Sequence, residues 1–211
     1  MLSRLRIARV IGKRGEKEAE ELLGKVMNRE IRGKEGGIPL FSSDGLPHYQ
    51  KALLEVYGET APYEGRGRPP TAKLPPDGLQ YGQVVKHRRG GKLVLVEERV
   101  IFGEEEEVKR NRGGNISTFH IERDNGTARC HNWRLTRKTP GYAKTVGALD
   151  AACAWTDVVY NFCRPHKALR VRSEEPGRKW EKRTPAMAAG LTDHIFSIEA
   201  ILTQIPASIN S

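Results

Sequence analysis

Long hydrophobic runs are absent from this chain of 211 residues, and so is the pattern of a secretory signal. No stretch reaches the roughly 18 apolar residues that a membrane-spanning helix needs, so we expect no membrane partner. Residues 1–13 are basic and alternating, without the apolar block of an exported protein. Only three cysteines occur (Cys130, Cys153 and Cys163), an odd and sparse set that favours a reducing compartment. Together these absences predict a cytoplasmic protein.

Aromatic residues are scarce, at 7% of the chain, and hydrophobic residues of all kinds make up 37%. This content is low, but it is not that of a disordered chain. The length suits one domain with extensions, large enough to bury a core. We therefore expect a folded domain.

Negative charge is rare in one third of the chain. Residues 108–183 hold 17 lysines and arginines against 7 aspartates and glutamates, which accounts for the whole net charge of +10. Such a block can be a solvated face and nothing more. Because it is concentrated around a segment that carries Glu122, it favours a polyanionic partner, and nucleic acid is the first candidate.

Hydrophobic spacing predicts alternating strands and helices near the amino terminus. Polar and apolar residues alternate over 3–11, which indicates a strand with one solvent-exposed face. Residues 15–29 have helical spacing with early glutamates. Residues 38–43 are typical of an inner strand, and a helix is expected from Leu46 onward. This order predicts an α/β fold.

Turn residues divide the rest of the chain. Prolines and glycines predict a loop over 59–78, and residues 88–91 join two strands, about 80–87 and 93–102, as a hairpin. The acidic run 104–107 is expected to be an exposed turn. Helices are expected at 116–138, 145–163, 185–191 and 196–202, the second with its inward side formed by Val146, Leu149, Ala152, Trp155, Val159 and Phe162.

Two carboxylates stand where a metal-dependent site for phosphates needs them. Asp44 closes an apolar run, and Glu122 heads a basic helix on which Asn125 and Arg129 share its face. Carboxylates suit Mg²⁺, and two such ions about 4 Å apart stabilise both charged oxygens of a phosphodiester displacement. Simpler explanations stay open: Asp44 can be a turn residue before Gly45, and Glu122 can form a surface ion pair.

Four segments resemble motifs of prokaryotic insertion-sequence transposases of the DDE class. Residues 41–49 (FSSDGLPHY) resemble the motif of the second catalytic aspartate, and 121–125 (IERDN) with 134–139 (RLTRKT) resemble the glutamate helix. Residues 160–169 (YNFCRPHKAL) and 184–193 (TPAMAAGLTD) are similar to later segments of these proteins. Each motif is weak alone, and their order makes the resemblance specific.

The resemblance implies a ribonuclease-H-like mixed sheet with flanking helices, an inserted β-hairpin and a helical C-terminal tail. The core would cover 1–163, with an insertion at about 59–113, and a basic linker and tail would cover 164–211. Asp44 and Glu122 would be the second and third ligands of two Mg²⁺ or Mn²⁺ ions. The residues that would face DNA are Arg123, Asn125, Arg129, Arg134, Arg137, Lys138, Arg164 and His166.

The implied reaction is nicking at transposon ends, followed by attack of the freed 3′-hydroxyl on target DNA. The implied partners are both DNAs, with self-association or association with a full-length transposase, and the implied location is the nucleoid. No aspartate precedes Asp44, although the family's first catalytic aspartate lies on an opening strand. We therefore expect an amino-terminally truncated core with impaired catalysis. The alternatives are a non-catalytic DNA-binding or regulatory remnant and a fragment without function.

Three smaller questions stay open at this level. Trp133 can pack inside the protein or stack on a base. His166 can contact a phosphate or cap the preceding helix. Cys163 with His166, and Cys130 with its neighbouring histidine, lack the paired spacing of a zinc site.

Overall fold

The computed structural model of this protein describes residues 3–29, 37–63, 65–68, 70–111, 116–136 and 139–203. The chain forms two compact units. We call them the sheet unit, Ala8–Glu122, and the helical unit, Met1–Ile7 with Arg123–Ser211. The division falls inside one helix, between Glu122 and Arg123.

The sheet unit contains both helices and strands, so the α/β character expected from the sequence is confirmed. The expected helices at 15–29 and from Leu46 onward, and the strand before Asp44, are all present. The elements are α1 (Glu16–Arg29), β1 (Phe41–Asp44), α2 (His48–Tyr57), β2 (Glu59–Thr60), β3 (Lys73–Leu74), β4 (Tyr81–Arg89), β5 (Lys92–Phe102) and α3 (Glu105–Asn111), followed by the start of α4 (Phe119–His131).

The main sheet has three strands in the order β1, β4, β5. Strand β1 runs parallel to β4, with Asp44 opposite Val84, and β4 runs antiparallel to β5. Within the described sheet β1 is therefore an edge strand and not the inner strand that its apolar run suggested. A separate two-residue ladder joins β2 to β3 across the loop.

The two faces of this sheet carry separate apolar clusters. Helices α1 and α2 cover one face, where Leu23, Leu53 and Tyr81 are buried. On the other face Val84 packs against Val108 and Ile116. Gly82 makes room for this packing, because a Cβ atom at its position would lie 2.6 Å from Cδ1 of Ile116 and the isoleucine would have to shift.

Strands β4 and β5 form the hairpin that the sequence predicted. Gly90 and Gly91 both adopt positive φ, at 58° and 79°, which glycine reaches without steric cost. Two consecutive residues in this conformation suit the right-handed twist of the flanking strands. The turn therefore sets the register of β4 against β5.

Two expectations for the sheet unit are wrong. The acidic run 104–107 does not form a turn, because it opens α3, where three glutamates in the first turn are favoured by the helix dipole. The expected strand over 3–11 is not a strand, since residues 3–10 have no regular secondary structure. Alternation along a sequence indicates a strand only where a neighbouring backbone offers the hydrogen bonds of a ladder.

For Arg6 those hydrogen bonds come from side chains of the helical unit. Its backbone N–H donates to Oδ1 of Asn161 at 3.0 Å, and its carbonyl accepts from Nδ2 of the same residue at 2.9 Å. Its guanidinium pairs with Asp124 at 2.8 Å and Asp157 at 3.2 Å and lies 3.9 Å over the ring of Tyr160. Burial lowers the pKa of Arg6, but Asp124 and Asp157 outweigh that and raise it above its ordinary value.

The helical unit is built from short elements. Helix α4 ends at His131 instead of reaching residue 138, and α5 ends at Val158 before one π-helical turn, Val159–Cys163. The prediction of which residues of α5 face inward is partly wrong. Val146, which was expected to be buried, is 68% exposed, whereas Cys153, which was not, is buried. The remaining elements are α5 (Val146–Val158), β6 (Val171–Arg172), β7 (Trp180–Glu181), α6 (Pro185–Ala188), α7 (Ile198–Thr203) and the 3-10 turns Trp133–Leu135 and Lys167–Leu169.

We expect Arg6→Met to destabilise the protein by about 3 kcal/mol, because it leaves the carboxylates of Asp124 and Asp157 without their guanidinium partner. Urea unfolding followed by circular dichroism measures the change. The exposed Arg164→Met is the matched control and should stay within about 0.5 kcal/mol of the parent. Equal effects of the two variants would show that the Arg6 network does not hold the helical unit together.

Candidate functional site

Asp44 is the last residue of β1, and its side chain is exposed. The turn after it is fixed by polar contacts: Ser43 Oγ and Tyr81 Oη share a hydrogen bond of 2.7 Å, and Gln83 donates to the carbonyl of Leu46 at 3.3 Å. Within the described part of the chain the carboxylate of Asp44 forms no ion pair and accepts no hydrogen bond. Asp44 thus occupies the strand-end position that the sequence predicted.

Glu122 lies in the first turn of α4 and is held by two partners. Its Oε1 forms an ion pair with the ammonium of Lys86 and accepts a hydrogen bond from the hydroxyl of Thr118 at 2.9 Å. Thr118 is buried, so this hydrogen bond also satisfies its hydroxyl. The hydrogen bond from Lys86, then that from Thr118 and the positive charges of Lys86 and Arg88, lower the pKa of Glu122.

The strand register relates the two carboxylates to the same stretch of β4. Asp44 stands opposite Val84, and Lys86 follows two residues later on the same face. With strands about 4.8 Å apart and about 3.3 Å per residue, the backbones of Asp44 and Lys86 lie within about 10 Å. The side chain of Glu122 reaches this face, because it binds Lys86.

A third carboxylate belongs to this face of the sheet. Glu98 on β5 stands opposite Val84, so Asp44, Val84 and Glu98 form one row across the three strands. Its Oε2 accepts from the backbone N–H of Ile116 at 3.0 Å. That bond ties Glu98 to the segment before α4.

A magnesium ion fits this donor set by chemistry but only in part by number. Carboxylate oxygens are the ligands that Mg²⁺ prefers, and a single ion is often bound through one or two carboxylates with several waters. A pair of ions needs more ligands. Among the described residues no three histidine, cysteine, aspartate or glutamate side chains converge on one point. Glu122 would have to release the ammonium of Lys86 before it could bind a cation.

The residues expected to face DNA belong mostly to the surface of the helical unit. Arg123, Asn125 and Arg129 are exposed on α4, Arg134 is exposed in the 3-10 turn after it, and Arg164 follows the π-helical turn. Arg137 and Lys138 lie outside the described residues. Trp133 is 66% exposed, which makes it a surface residue and not part of a core.

His166 differs from the other candidates because its ring is half-buried. The ring packs edge-on against Tyr160 at 4.5 Å, and its Nε2 is enclosed without a hydrogen-bond partner in the described residues. Burial, followed by the positive charges of Arg4 and Arg164, lowers its pKa. Its backbone N–H donates to the carbonyl of Arg183 at 2.9 Å, so His166 fastens this segment to the tail.

Sequence reasoning missed Lys86, which faces Glu122, and Glu98. The alternation of β4 placed Lys86 on the face of Val84, but only the pairing of strands with α4 brings Glu122 to it. Glu98 could not be recognised from the sequence either, because its alignment with Asp44 depends on the register of β1 with β4 and of β4 with β5.

Comparison with known proteins finds no matching family model, no matching curated protein and no matching solved structure. Across the described residues no helix combines the length and the apolar character that crossing a bilayer requires.

We expect Lys86→Met to raise the pKa of Glu122 toward the ordinary carboxyl value, because it removes the strongest interaction that lowers it. The lowered pKa means that the pair stabilises the fold above the ordinary carboxyl pKa, and that this stabilisation is lost as pH falls through the lowered value. Carboxyl carbon NMR of Glu122 across a pH titration measures the shift. The exposed Lys92→Met is the control, and a pKa unchanged by Lys86→Met would refute the ion pair in solution.

Proposed function

We propose that this chain is a DNA-processing protein of the DDE transposase class, which nicks phosphodiester bonds and transfers the freed strand with the help of Asp44 and Glu122. One observation carries the proposal: an exposed carboxylate at a strand end stands opposite Val84, and a carboxylate in the first turn of a helix binds Lys86, two residues further along β4. Rigid elements hold both side chains, as a metal site needs. The ribonuclease-H-like fold is part of the same proposal.

In this proposal Asp44 and Glu122 would hold magnesium, which would supply positive charge to the oxygens of the phosphodiester. Thr118 fixes the rotamer of Glu122 through its hydroxyl. Lys86 balances the charge of Glu122, and if it released that carboxylate its ammonium could bind a phosphate oxygen. Since Asp44 and Glu122 alone would hold a bound ion weakly, we expect slow catalysis.

A second candidate function is binding of DNA without catalysis. The ion pair between Lys86 and Glu122 favours it, because a carboxylate that is already neutralised is a weaker metal ligand. The exposed basic residues of the helical unit could serve such a protein without any metal. A binder of this kind would compete or assemble with an active transposase on DNA.

We expect the protein to nick supercoiled plasmid DNA in Mn²⁺ or Mg²⁺, and Glu122→Gln or Asp44→Asn to slow nicking by on the order of a hundredfold, since a lost metal ligand is worth several kcal/mol. Conversion of supercoiled to open-circular plasmid measures the rate. The controls are Asp77→Asn and Glu107→Gln, which alter exposed acids of the sheet unit that are not proposed as ligands.

Two results would decide against catalysis. If the parent protein and both site variants nick equally, the activity belongs to a contaminant. If none nicks in either metal while DNA binding is retained, the non-catalytic candidate replaces the enzyme.

DNA binding has its own prediction. Replacing Arg123, Arg129 and Arg134 together by alanine should weaken binding to duplex DNA and reduce the slope of log K against log salt by up to about 3, since each phosphate contact contributes roughly 0.9. Fluorescence anisotropy at several salt concentrations measures both quantities. Binding that Glu122→Gln leaves intact separates affinity from chemistry.

The matched control replaces three exposed basic residues of the sheet unit that lie outside the basic block: Lys17, Arg66 and Arg68. It removes the same charge from the chain. If it lowers the slope as much as the arginine variant does, binding follows net charge alone and the helical unit is not the DNA surface.

A further inference from the structure

The outer part of the β4–β5 hairpin extends past the rest of the sheet. Strand β1 ends opposite Val84, so residues 85–89 and 92–96 pair only with each other within the described sheet. We call these residues, with the two-glycine turn between them, the ribbon. All of them except the partly buried Val85 are exposed. At about 3.3 Å per residue, each strand of the ribbon is roughly 16 Å long.

The formal charge of the ribbon is of one sign. Residues 85–96 include four lysines and arginines and no aspartate or glutamate. Lys86 is bound by Glu122. The carboxylates of the described residues form no ion pair with the other three cations, which are Arg88, Arg89 and Lys92. Since these three lie outside residues 108–183, they are a second concentration of positive charge, on the sheet unit.

Two of these cations repel each other. Arg89 and Lys92 stand directly opposite each other at the turn. Like charges in such a cross-strand pair destabilise a hairpin, whereas opposite charges stabilise it. The cost falls on a two-stranded ribbon, which is marginally stable by itself in water. A bound anion offsets this repulsion, because it brings negative charge to both side chains.

The unpaired cations leave the ribbon on both of its faces. Successive residues of a strand point to opposite faces, so Arg88 lies on one face. Arg89 lies on the other face together with its cross-strand neighbour Lys92. A flat anionic surface can meet only one of these faces. A groove of duplex DNA meets both, because phosphates border it on either side.

The major groove of B-DNA matches the ribbon in size and in the kinds of group it offers. The groove is about 12 Å wide, admits a two-stranded β-ribbon, and is about 8.5 Å deep, less than the length of this one. Leu93 and Val94, next to the turn, are 51% and 65% exposed. Apolar side chains contact the methyl group of thymine on the floor of the major groove. Cations and exposed apolar residues thus each have a counterpart there.

We propose that the ribbon enters the major groove of duplex DNA, with Arg88, Arg89 and Lys92 contacting phosphates on its two sides. The inference rests on the proposed function, because that function supplies DNA as the polyanion. It assigns a DNA contact to the sheet unit, in addition to the basic residues already expected to face DNA.

Salt-dependent binding tests this contact. Replacing the three cations together, Arg88→Ala, Arg89→Ala and Lys92→Ala, should weaken binding to a short duplex and reduce the slope of log K against log salt by up to about 3. The matched control is the variant that replaces Lys17, Arg66 and Arg68, which removes the same charge from the sheet unit and leaves the ribbon intact. Fluorescence anisotropy at several salt concentrations measures both variants.

A charge reversal separates binding from folding. Lys92→Glu places opposite charges across the turn, so the urea midpoint of unfolding should stay at or above that of the parent. The same variant should weaken DNA binding and lower the salt slope by about 1 or more, since it replaces a phosphate contact by a repulsion. Arg66→Glu is the control for the change in net charge. A lower urea midpoint for Lys92→Glu would contradict the cost assigned to the like-charge pair.

Competition with groove-binding molecules tests which groove the ribbon enters. Methyl green lies in the major groove and netropsin in the minor groove. Methyl green should displace the parent from duplex DNA at lower occupancy than netropsin does. The triple alanine variant of the ribbon should lose this difference. Stronger displacement of the parent by netropsin would exclude the major groove.

Several results would overturn the inference and leave the proposed function in place. DNA binding by the triple alanine variant with the affinity and salt slope of the parent would show that DNA does not touch the ribbon. A loss no larger than that of the matched control would assign the effect to net charge. Loss of binding to phosphatidylglycerol vesicles, with DNA binding unchanged, would assign the ribbon to a membrane surface. A parent that does not bind duplex DNA would instead contradict the proposed function, and the inference with it.

Discussion

The parallel pairing of β1 with β4 is the constraint on which the rest of the sheet unit depends. Parallel strands cannot be joined by a tight turn, so the chain between Asp44 and Tyr81 must cross over, and α2 does this while burying Leu53 against the sheet. The same pairing sets Asp44 opposite Val84. On the second face of the sheet Val108 and Ile116 pack against Val84. Helix α4 begins three residues after Ile116, and its Glu122 binds Lys86.

The ion pair between Lys86 and Glu122 links the two candidate functions. The ammonium of Lys86 positions the carboxylate of Glu122 and balances its charge, which is compatible with either candidate function. The lowered pKa of Glu122 keeps the carboxylate ionised in either case. Asp44 differs because its carboxylate is exposed, and Glu98 differs because the N–H of Ile116 occupies one of its oxygens. The chemistry of this face therefore depends on what competes with Lys86.

Sequence patterns predicted correctly those elements that depend on interactions between residues near each other in the chain. The spacing of α1, the turn at Gly90 and Gly91 and the strand before Asp44 follow from side-chain periodicity and from backbone freedom, and all three are present. The expectation for residues 3–11 failed because a strand needs a partner, and Arg6 instead meets Asn161, Asp124 and Asp157, more than a hundred residues away. The prediction of a turn at the acidic run after β5 was wrong, because these glutamates lie in the first turn of α3, where the helix dipole stabilises them.

The sequence by itself determined the α/β character, the hairpin, the basic block and the strand-end and helix-start positions of Asp44 and Glu122. These features depend on residue type, spacing and composition within a few turns of chain. Tertiary structure alone decided that Lys86 faces Glu122, that Glu98 stands in a row with Asp44, and that an apolar β5 lies at a sheet edge. Each of those depends on register between segments distant in sequence, and register is set by packing of whole elements, which no local pattern encodes.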